Sequence, residues 1–168
     1  MPTILILFDS RGGLTEQLAQ AVAEGVRTVA GAQLSLRRLD DASPNELKEV
    51  DAVIVGSPNW SGITGKLKTW FDQSGDLWET GDMAGKVGAA FAAGWSPSGG
   101  LEATLLQIIH LLLALGMVIV GLPWSERMRV SGSYYGATAV GQVTDDDRAQ
   151  ARELGRRVAE LAVRLAGR

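Results

Sequence analysis

The sequence predicts an α/β fold, a doubly wound parallel sheet with helices on both faces. Two observations carry this. Short unbroken apolar runs recur over residues 3–8, 52–56 and 87–93, and a strand that is apolar on both sides is one buried on both faces. Between them lie segments whose apolar residues fall three or four positions apart, the spacing of an amphipathic helix. Strand and helix alternate, as in parallel crossover units. The chain has 168 residues, 46% hydrophobic and 21% charged, enough to bury a full core. No repeat, linker or low-complexity tract interrupts it, so residues 1–168 are read as one domain.

The first run ends in Asp9-Ser10-Arg11-Gly12-Gly13, a strand entering a glycine-rich turn. Leu14, Leu18, Val22 and Val26 then predict a helix over 14–29, with Glu16 in its first turn. Leu34 and Leu36 alternate with Ser35 and Arg37, the pattern of an edge strand over 33–37. Residues 52–56 form the next buried strand, followed by a loop from Ser57 to Thr64 and a helix over 65–73. The small residues of 87–93 make another buried strand, and a loop from Gly94 to Gly100 follows. A helix over 101–115 is closed by Gly116 and leads into a strand over 117–121. The last helix covers 145–166, with Thr144 as N-cap and Leu154, Val158, Leu161 and Leu165 on one face.

Composition excludes several chemistries. Lys and Arg number 16 against 19 Asp and Glu, a net charge of −3, too balanced for a nucleic-acid surface. The absence of cysteine excludes disulfides, thiolate nucleophiles and Cys-ligated metals. One histidine, His110, leaves no His pair for a metal, and its apolar surroundings suggest a packed or interface residue. The apolar N-terminal run is too short and too little basic for a signal peptide, so a cytoplasmic protein is expected. Residues 105–120 contain Gln107, His110 and Gly116 and fall short of the roughly 20 apolar residues of a membrane span. Leu105, Leu106, Ile108, Ile109, Leu111, Leu112, Leu113 and Leu115 nevertheless make this helix apolar around most of its circumference. That exceeds what a helix on a sheet needs and points to a homo-oligomer interface.

Ligands of open parallel sheets sit beyond the carboxyl ends of the strands. Three loops qualify. In the first, Ser10, Arg11, Gly12, Gly13, Leu14 and Thr15 place hydroxyls around two glycines at a helix N-terminus, a seat for a phosphate. It has neither the lysine of a P-loop nor the dinucleotide fingerprint spacing, so a single phosphate fits best. Asp9 beside such a turn is expected to point away. The second loop holds Pro58, Asn59, Trp60, Ser61 and Gly62; the third holds Ala93, Gly94, Trp95, Ser96, Pro97, Ser98 and Gly99. Tryptophan in a loop of small residues suits stacking on a flat ligand. One phosphate and one flat aromatic system together describe flavin mononucleotide (FMN).

Five segments carry a family resemblance: Gly56-Ser57-Pro58 with Gly62; Lys68 through Trp78; Gly99-Gly100-Leu101-Glu102 through Leu106; Gly116-Met117 through Pro123; and Tyr135-Gly136-Ala137-Thr138. They resemble, in the same order along nearly the whole chain, the WrbA-type NAD(P)H:quinone oxidoreductases. The resemblance implies a flavodoxin-like five-stranded sheet of order 2-1-3-4-5 and bound FMN. It also implies a ping-pong cycle in which NAD(P)H reduces the flavin through N5 and a quinone reoxidises it by two electrons, with no catalytic side chain of the protein. Carried over by position, Ser10 through Thr15 hold the phosphate, and Asn59, Trp60 and Ser61 run along the flavin and its ribityl chain. Gly94 through Gly99 wrap the isoalloxazine edge and Trp78 lines the substrate pocket. The family is homotetrameric, with pockets completed by a neighbouring subunit.

The chain departs from the family in four places. It is shorter before Glu49 and after Pro123, Ala114 and Leu115 stand where the family has histidines, and Gly12 replaces an aromatic residue that contacts the nicotinamide nucleotide. The reading from another class is a flavodoxin-type electron carrier without its own NAD(P)H activity. Carriers dock through single-signed surfaces, which a net charge of −3 with Arg127, Arg129, Arg156 and Arg157 does not favour. A receiver domain needs an acceptor aspartate where Gly56-Ser57-Pro58 stands, and a hydrolase needs a nucleophile elbow that is absent.

Overall fold

Successive side chains of a strand point to opposite faces, so an unbroken apolar run must serve two layers at once. The computed structural model describes residues 1–167. Its strands are β1 (Thr3–Phe8), β2 (Gln33–Arg38), β3 (Ala52–Pro58), β4 (Val87–Gly94), β5 (Val118–Ile119) and β6 (Ala137–Val140); its helices are α1 (Leu14–Arg27), α2 (Gly65–Asp72), α3 (Gly75–Thr80), α4 (Leu101–Ala114) and α5 (Asp145–Ala166). Ile4, Ile6 and Phe8 of β1, with Ala52 and Ile54 of β3, pack under α1 and α5. Leu5, Leu7, Val53 and Val55 face the other way, into a second core with α2, α3 and α4. Gly56 lies between Phe8 and Phe91 in register, and its missing side chain leaves the space that the Phe91 ring fills.

The pairings between these strands are all parallel and the order is β2-β1-β3-β4-β5. The chain winds one way from β1 to β2 and the other way from β3 to β4, so the topology switches between β1 and β3. The strand expected over 117–121 is corrected. Only Val118 and Ile119 pair, with Val87 and Gly88 at the start of β4, while β6 pairs with Phe91 through Gly94 at its end. The fifth position therefore holds two strands in series. The chain leaves the sheet after Val120, and the Leu122 N–H donates to the Tyr134 carbonyl at 3.0 Å instead of to β4. The six-residue α3, closed by Gly81 in a left-handed conformation (φ 71°), is also additional to the expected elements. The edge strand β2, the long α5 and its Thr144 cap are as expected: Thr144 accepts from the Asp147 N–H, and the Asp147 carboxylate accepts from the Thr144 N–H.

Helix α4 buries one stripe, Leu101, Thr104, Leu105, Ile108 and Leu112, and leaves Leu106 and Leu113 exposed. Among the described residues no helix is long and apolar enough to cross a membrane, and no group of three or more His, Asp or Glu side chains could hold a metal ion.

Helices α1 and α5 touch through two glycines. A methyl group at Gly25 would overlap the Arg152 carbonyl, and one at Gly155 the Val22 carbonyl. Both obstacles are backbone, so neither can rotate aside. Gly155→Ala is therefore expected to lower stability by roughly 1–3 kcal/mol through overpacking, read from the urea midpoint. An unchanged midpoint would mean that the helices separate freely.

Candidate functional site

Parallel pairing brings the carboxyl ends of β1, β3 and β4 to one edge, so the three loops predicted to bind a ligand stand side by side. Gly13 is the N-cap of α1 in a left-handed conformation (φ 82°), and no side chain caps this helix. Its first amides are left to an external acceptor. Ser10 Oγ is buried without a hydrogen-bond partner, and Thr15 is buried. A side chain atom built on Gly12 or Gly13 would meet nothing within 4 Å, so the turn has an open side. An orphaned buried hydroxyl beside an uncapped helix start is the donor set that a phosphate requires.

The loops are tied to each other by groups other than these. Asp9 is buried and turns away from the phosphate turn, as expected: its Oδ2 accepts from Thr64 Oγ1 at 2.7 Å, and Lys66 Nζ lies 3.9 Å from its Oδ1. Lys66 also pairs with Asp40. Thr64 in turn caps α2 by accepting from the Leu67 N–H at 3.2 Å. Asn59 uses both ends of its amide within the protein. Its Nδ2 donates to the Gly99 carbonyl at 2.5 Å, and its Oδ1 accepts from the Gly62 N–H at 3.2 Å and Thr104 Oγ1 at 2.9 Å. Gln107 Oε1 accepts from the Ile63 N–H at 2.8 Å. Thr64, Thr104 and Gln107 thus position the site although sequence reasoning assigned them no role; the two on α4 lie more than forty positions from the loop they hold.

Trp60 is 61% exposed and Trp95 80% exposed at this edge. The Arg11 guanidinium lies 5.6 Å from the Trp60 ring centroid, bridging the first loop to the second. Ser61 holds a left-handed conformation (φ 57°) uncommon for a residue with a side chain, a strain of the kind found in ligand loops. Pro58, Ala93 and Gly94 are buried strand ends that can offer only backbone, and Leu14 leans on the core. Ser96, Pro97, Ser98 and Gly99 form an exposed turn closed by the Gly99 N–H on the Ser96 carbonyl. Pro97 also borders a cavity of about 690 Å³ whose walls include Glu102, Thr138 and Thr144.

Trp78 lies outside the three loops. It stands 66% exposed on α3, where the neighbouring Asp76 pairs with Lys48 at 3.2 Å. Lys86, just before β4, donates to the Lys48 carbonyl at 2.8 Å, so this corner belongs to the amino-terminal end of the sheet. Of the two residues at the family's histidine positions, Leu115 is buried in the core and Ala114 is exposed. Ala114 and the exposed His110 line a groove of about 410 Å³ together with Ile63, Lys68 and Leu111.

The sequence profile of the NADPH-dependent FMN reductase family matches residues 2–126. The chain belongs to this family. It is accordingly an FMN-dependent oxidoreductase, and the seat at Ser10 and α1 fits the cofactor's phosphate. Over 191 aligned residues, this FMN reductase family member is 39% identical to a protein of Archaeoglobus fulgidus named NAD(P)H dehydrogenase (quinone), covering 98% of this chain and 100% of that protein. A protein of the same name from Gluconacetobacter diazotrophicus is 38% identical over 198 residues, covering 98% and 99%. Both alignments are longer than the chain itself, so these relatives carry residues that it lacks. Among solved structures, a WrbA-like flavodoxin protein from Agrobacterium tumefaciens superposes with a TM-score of 0.76 at 26% identity, covering 98% of this chain and 99% of the other. A flavodoxin from the domain Archaea, at 21% identity and a TM-score of 0.74, shares the fold.

Gly13→Val would force a branched side chain into left-handed backbone at a strain of about 1–2 kcal/mol, relieved only by moving the turn. FMN affinity, followed by quenching of flavin fluorescence, should fall roughly tenfold or more. FMN retained undiminished would remove the phosphate from this turn.

Proposed function

We propose that this protein transfers two electrons from NAD(P)H to a quinone or a similar small acceptor by way of FMN. The observation that carries the proposal is the phosphate seat at Ser10 and α1, set at the same edge as two exposed tryptophan loops. It is supported by full-length likeness to proteins named NAD(P)H dehydrogenase (quinone). When bound, FMN supplies the two-electron redox chemistry. The chain supplies position. Ser10, Arg11, Gly12, Gly13, Leu14 and Thr15 hold the phosphate. Asn59, Trp60, Ser61 and Gly62 lie along the ring and ribityl chain with Pro58 behind them, and Ala93, Gly94, Trp95, Ser96, Pro97, Ser98 and Gly99 close its edge. Asp9, engaged with Thr64 and Lys66, is a tie between loops and moves no proton. Trp60 and Trp95 exclude water from the ring.

Assembly completes the reading. Trp78 is exposed away from its own chain's loops, and α4 exposes Leu106 and Leu113 beside the groove at His110. A homotetramer, in which a neighbour's Trp78 walls the quinone pocket, uses both surfaces. The protein would work in the cytoplasm, where its nicotinamide cosubstrate is found. The electron-carrier reading gains nothing from the surface, because its charges are largely paired with opposite ones, as in Lys48–Asp76, Arg127–Asp146 and Arg152–Glu24.

The purified protein should show a two-band flavin spectrum that bleaches with NADH or NADPH under anaerobic conditions and returns when a quinone is added. A flavin spectrum indifferent to both nucleotides would establish the carrier instead. Trp78→Ala should lower quinone turnover while flavin content stays the same. Loss of flavin in that variant would move Trp78 into the cofactor site, and unchanged turnover would remove it from the pocket.

A further inference from the structure

The helix that seats the phosphate carries a carboxylate in its first turn. Glu16 occupies the third position after the N-cap Gly13. At the same position of the short 3-10 helix Pro44–Glu49 and of α5, the acidic side chain folds back onto the N-cap amide: Glu46 accepts from the Ser43 N–H at 2.9 Å, and Asp147 from the Thr144 N–H at 2.8 Å. Glu16 does not. Its Oε2 accepts from Arg38 Nη1 at 2.7 Å, while Nη2 of the same guanidinium donates to the Ser10 carbonyl at 3.3 Å. Arg38 is the last residue of β2, directly opposite Phe8 in register, and its guanidinium lies 5.9 Å from the Phe8 ring. Backbone register, an aromatic ring and a carbonyl of the phosphate turn therefore all fix where this cation stands.

We propose that Arg38 is a positioning residue for the phosphate seat: it holds the Glu16 carboxylate away from the start of α1, so that the amides beside Ser10 stay open to a phosphate dianion. This rests on the FMN reading above. As a contribution to stability the pair is small, because both side chains are partly exposed and such pairs are worth little in water. Its effect is on charge and direction. Freed from Arg38, Glu16 is an unopposed negative charge in the turn that must accept a more negative group, and it competes for the same positive helix end.

The test compares FMN with riboflavin, which has the ring and ribityl chain but no phosphate. Apoprotein variants are titrated with each and followed by quenching of flavin fluorescence. Arg38→Gln should weaken FMN binding roughly tenfold and leave riboflavin binding unchanged. Adding Glu16→Gln to it should restore most of the FMN affinity, since the offending carboxylate is then neutral. Equal losses for both ligands would mean a general loosening of the site and would overturn the proposal. So would an unchanged FMN affinity, or a loss that Glu16→Gln does not repair, which would make Arg38 a direct ligand contact. Thermal melting of each apoprotein verifies folding, and Arg38→Lys, which keeps the charge, should fall between wild type and Arg38→Gln. Wild-type protein that binds neither ligand would instead overturn the FMN reading itself, and the proposal with it.

Discussion

Parallel strands buried on both faces end together, and this one constraint organises the molecule. Because β1, β3 and β4 run the same way in register, their last residues arrive at a single edge, where the chain must turn out of the sheet and its polar groups need partners. Most of those partners come from within the chain. Asp9 joins the first loop to Thr64, Asn59 joins the second loop to the third and to α4, and Gln107 holds the Ile63 amide. What is left over defines the site: a buried Ser10 hydroxyl and the uncapped start of α1. Internal ties hold the loops to one another, and on the proposed reading the groups left untied at this edge are those that a ligand satisfies. Such preorganisation lets a cofactor bind without first ordering its loops.

That division of labour changes how individual residues are understood. Asn59 stands where a flavin contact is expected, yet its amide is consumed at both ends by Gly99, Gly62 and Thr104. On the proposed reading, its contribution to binding is the shape of two loops. Asp9 looks unwelcome next to a phosphate by charge alone, but it is turned inward onto a hydroxyl and opposed by Lys66. In both cases the side chain serves the scaffold, and on the proposed reading it is the backbone beside it that is left for the ligand.

The sequence discloses the parts of this design that are local. Strands β1, β3 and β4 are legible because burial on both faces leaves unbroken apolar runs, and the binding loops because Gly, Ser and Trp cluster directly after them. The split fifth strand is not legible. Gly121 ends a plausible strand and Pro123 follows it, and nothing nearby shows that the chain leaves the sheet and returns at Ala137. Helix α3 is too short for a periodicity to develop between Gly75 and Gly81. The ties that make the site are invisible for another reason: Asn59 to Thr104, Asp9 to Thr64 and Arg38 to Glu16 each join elements that only the folded sheet brings together. A pattern read along the chain identifies donors and acceptors, whereas register decides which ones meet.

The tryptophans carry the argument from the single chain toward an assembly. Trp70 is buried, with its Nε1–H donating to the Ala42 carbonyl at 3.0 Å, the ordinary fate of this side chain in a core. Trp60, Trp95 and Trp78 are all more than half exposed, and leaving so much aromatic surface in water forgoes burial energy that a core position would have provided. Two of them flank the ligand edge, where a flat ring would cover them. The third stands on α3, next to the Asp76 that pairs with Lys48, outside the three loops. On the proposed reading, a ligand at those loops covers Trp60 and Trp95 and leaves Trp78 to another partner. A second copy can be that partner, and the exposed leucines of α4 provide apolar surface for copies to meet through. On the proposed reading, cofactor seat and pocket wall are thus contributed by different chains: the carboxyl edge of one sheet would be finished by the amino-end corner of another.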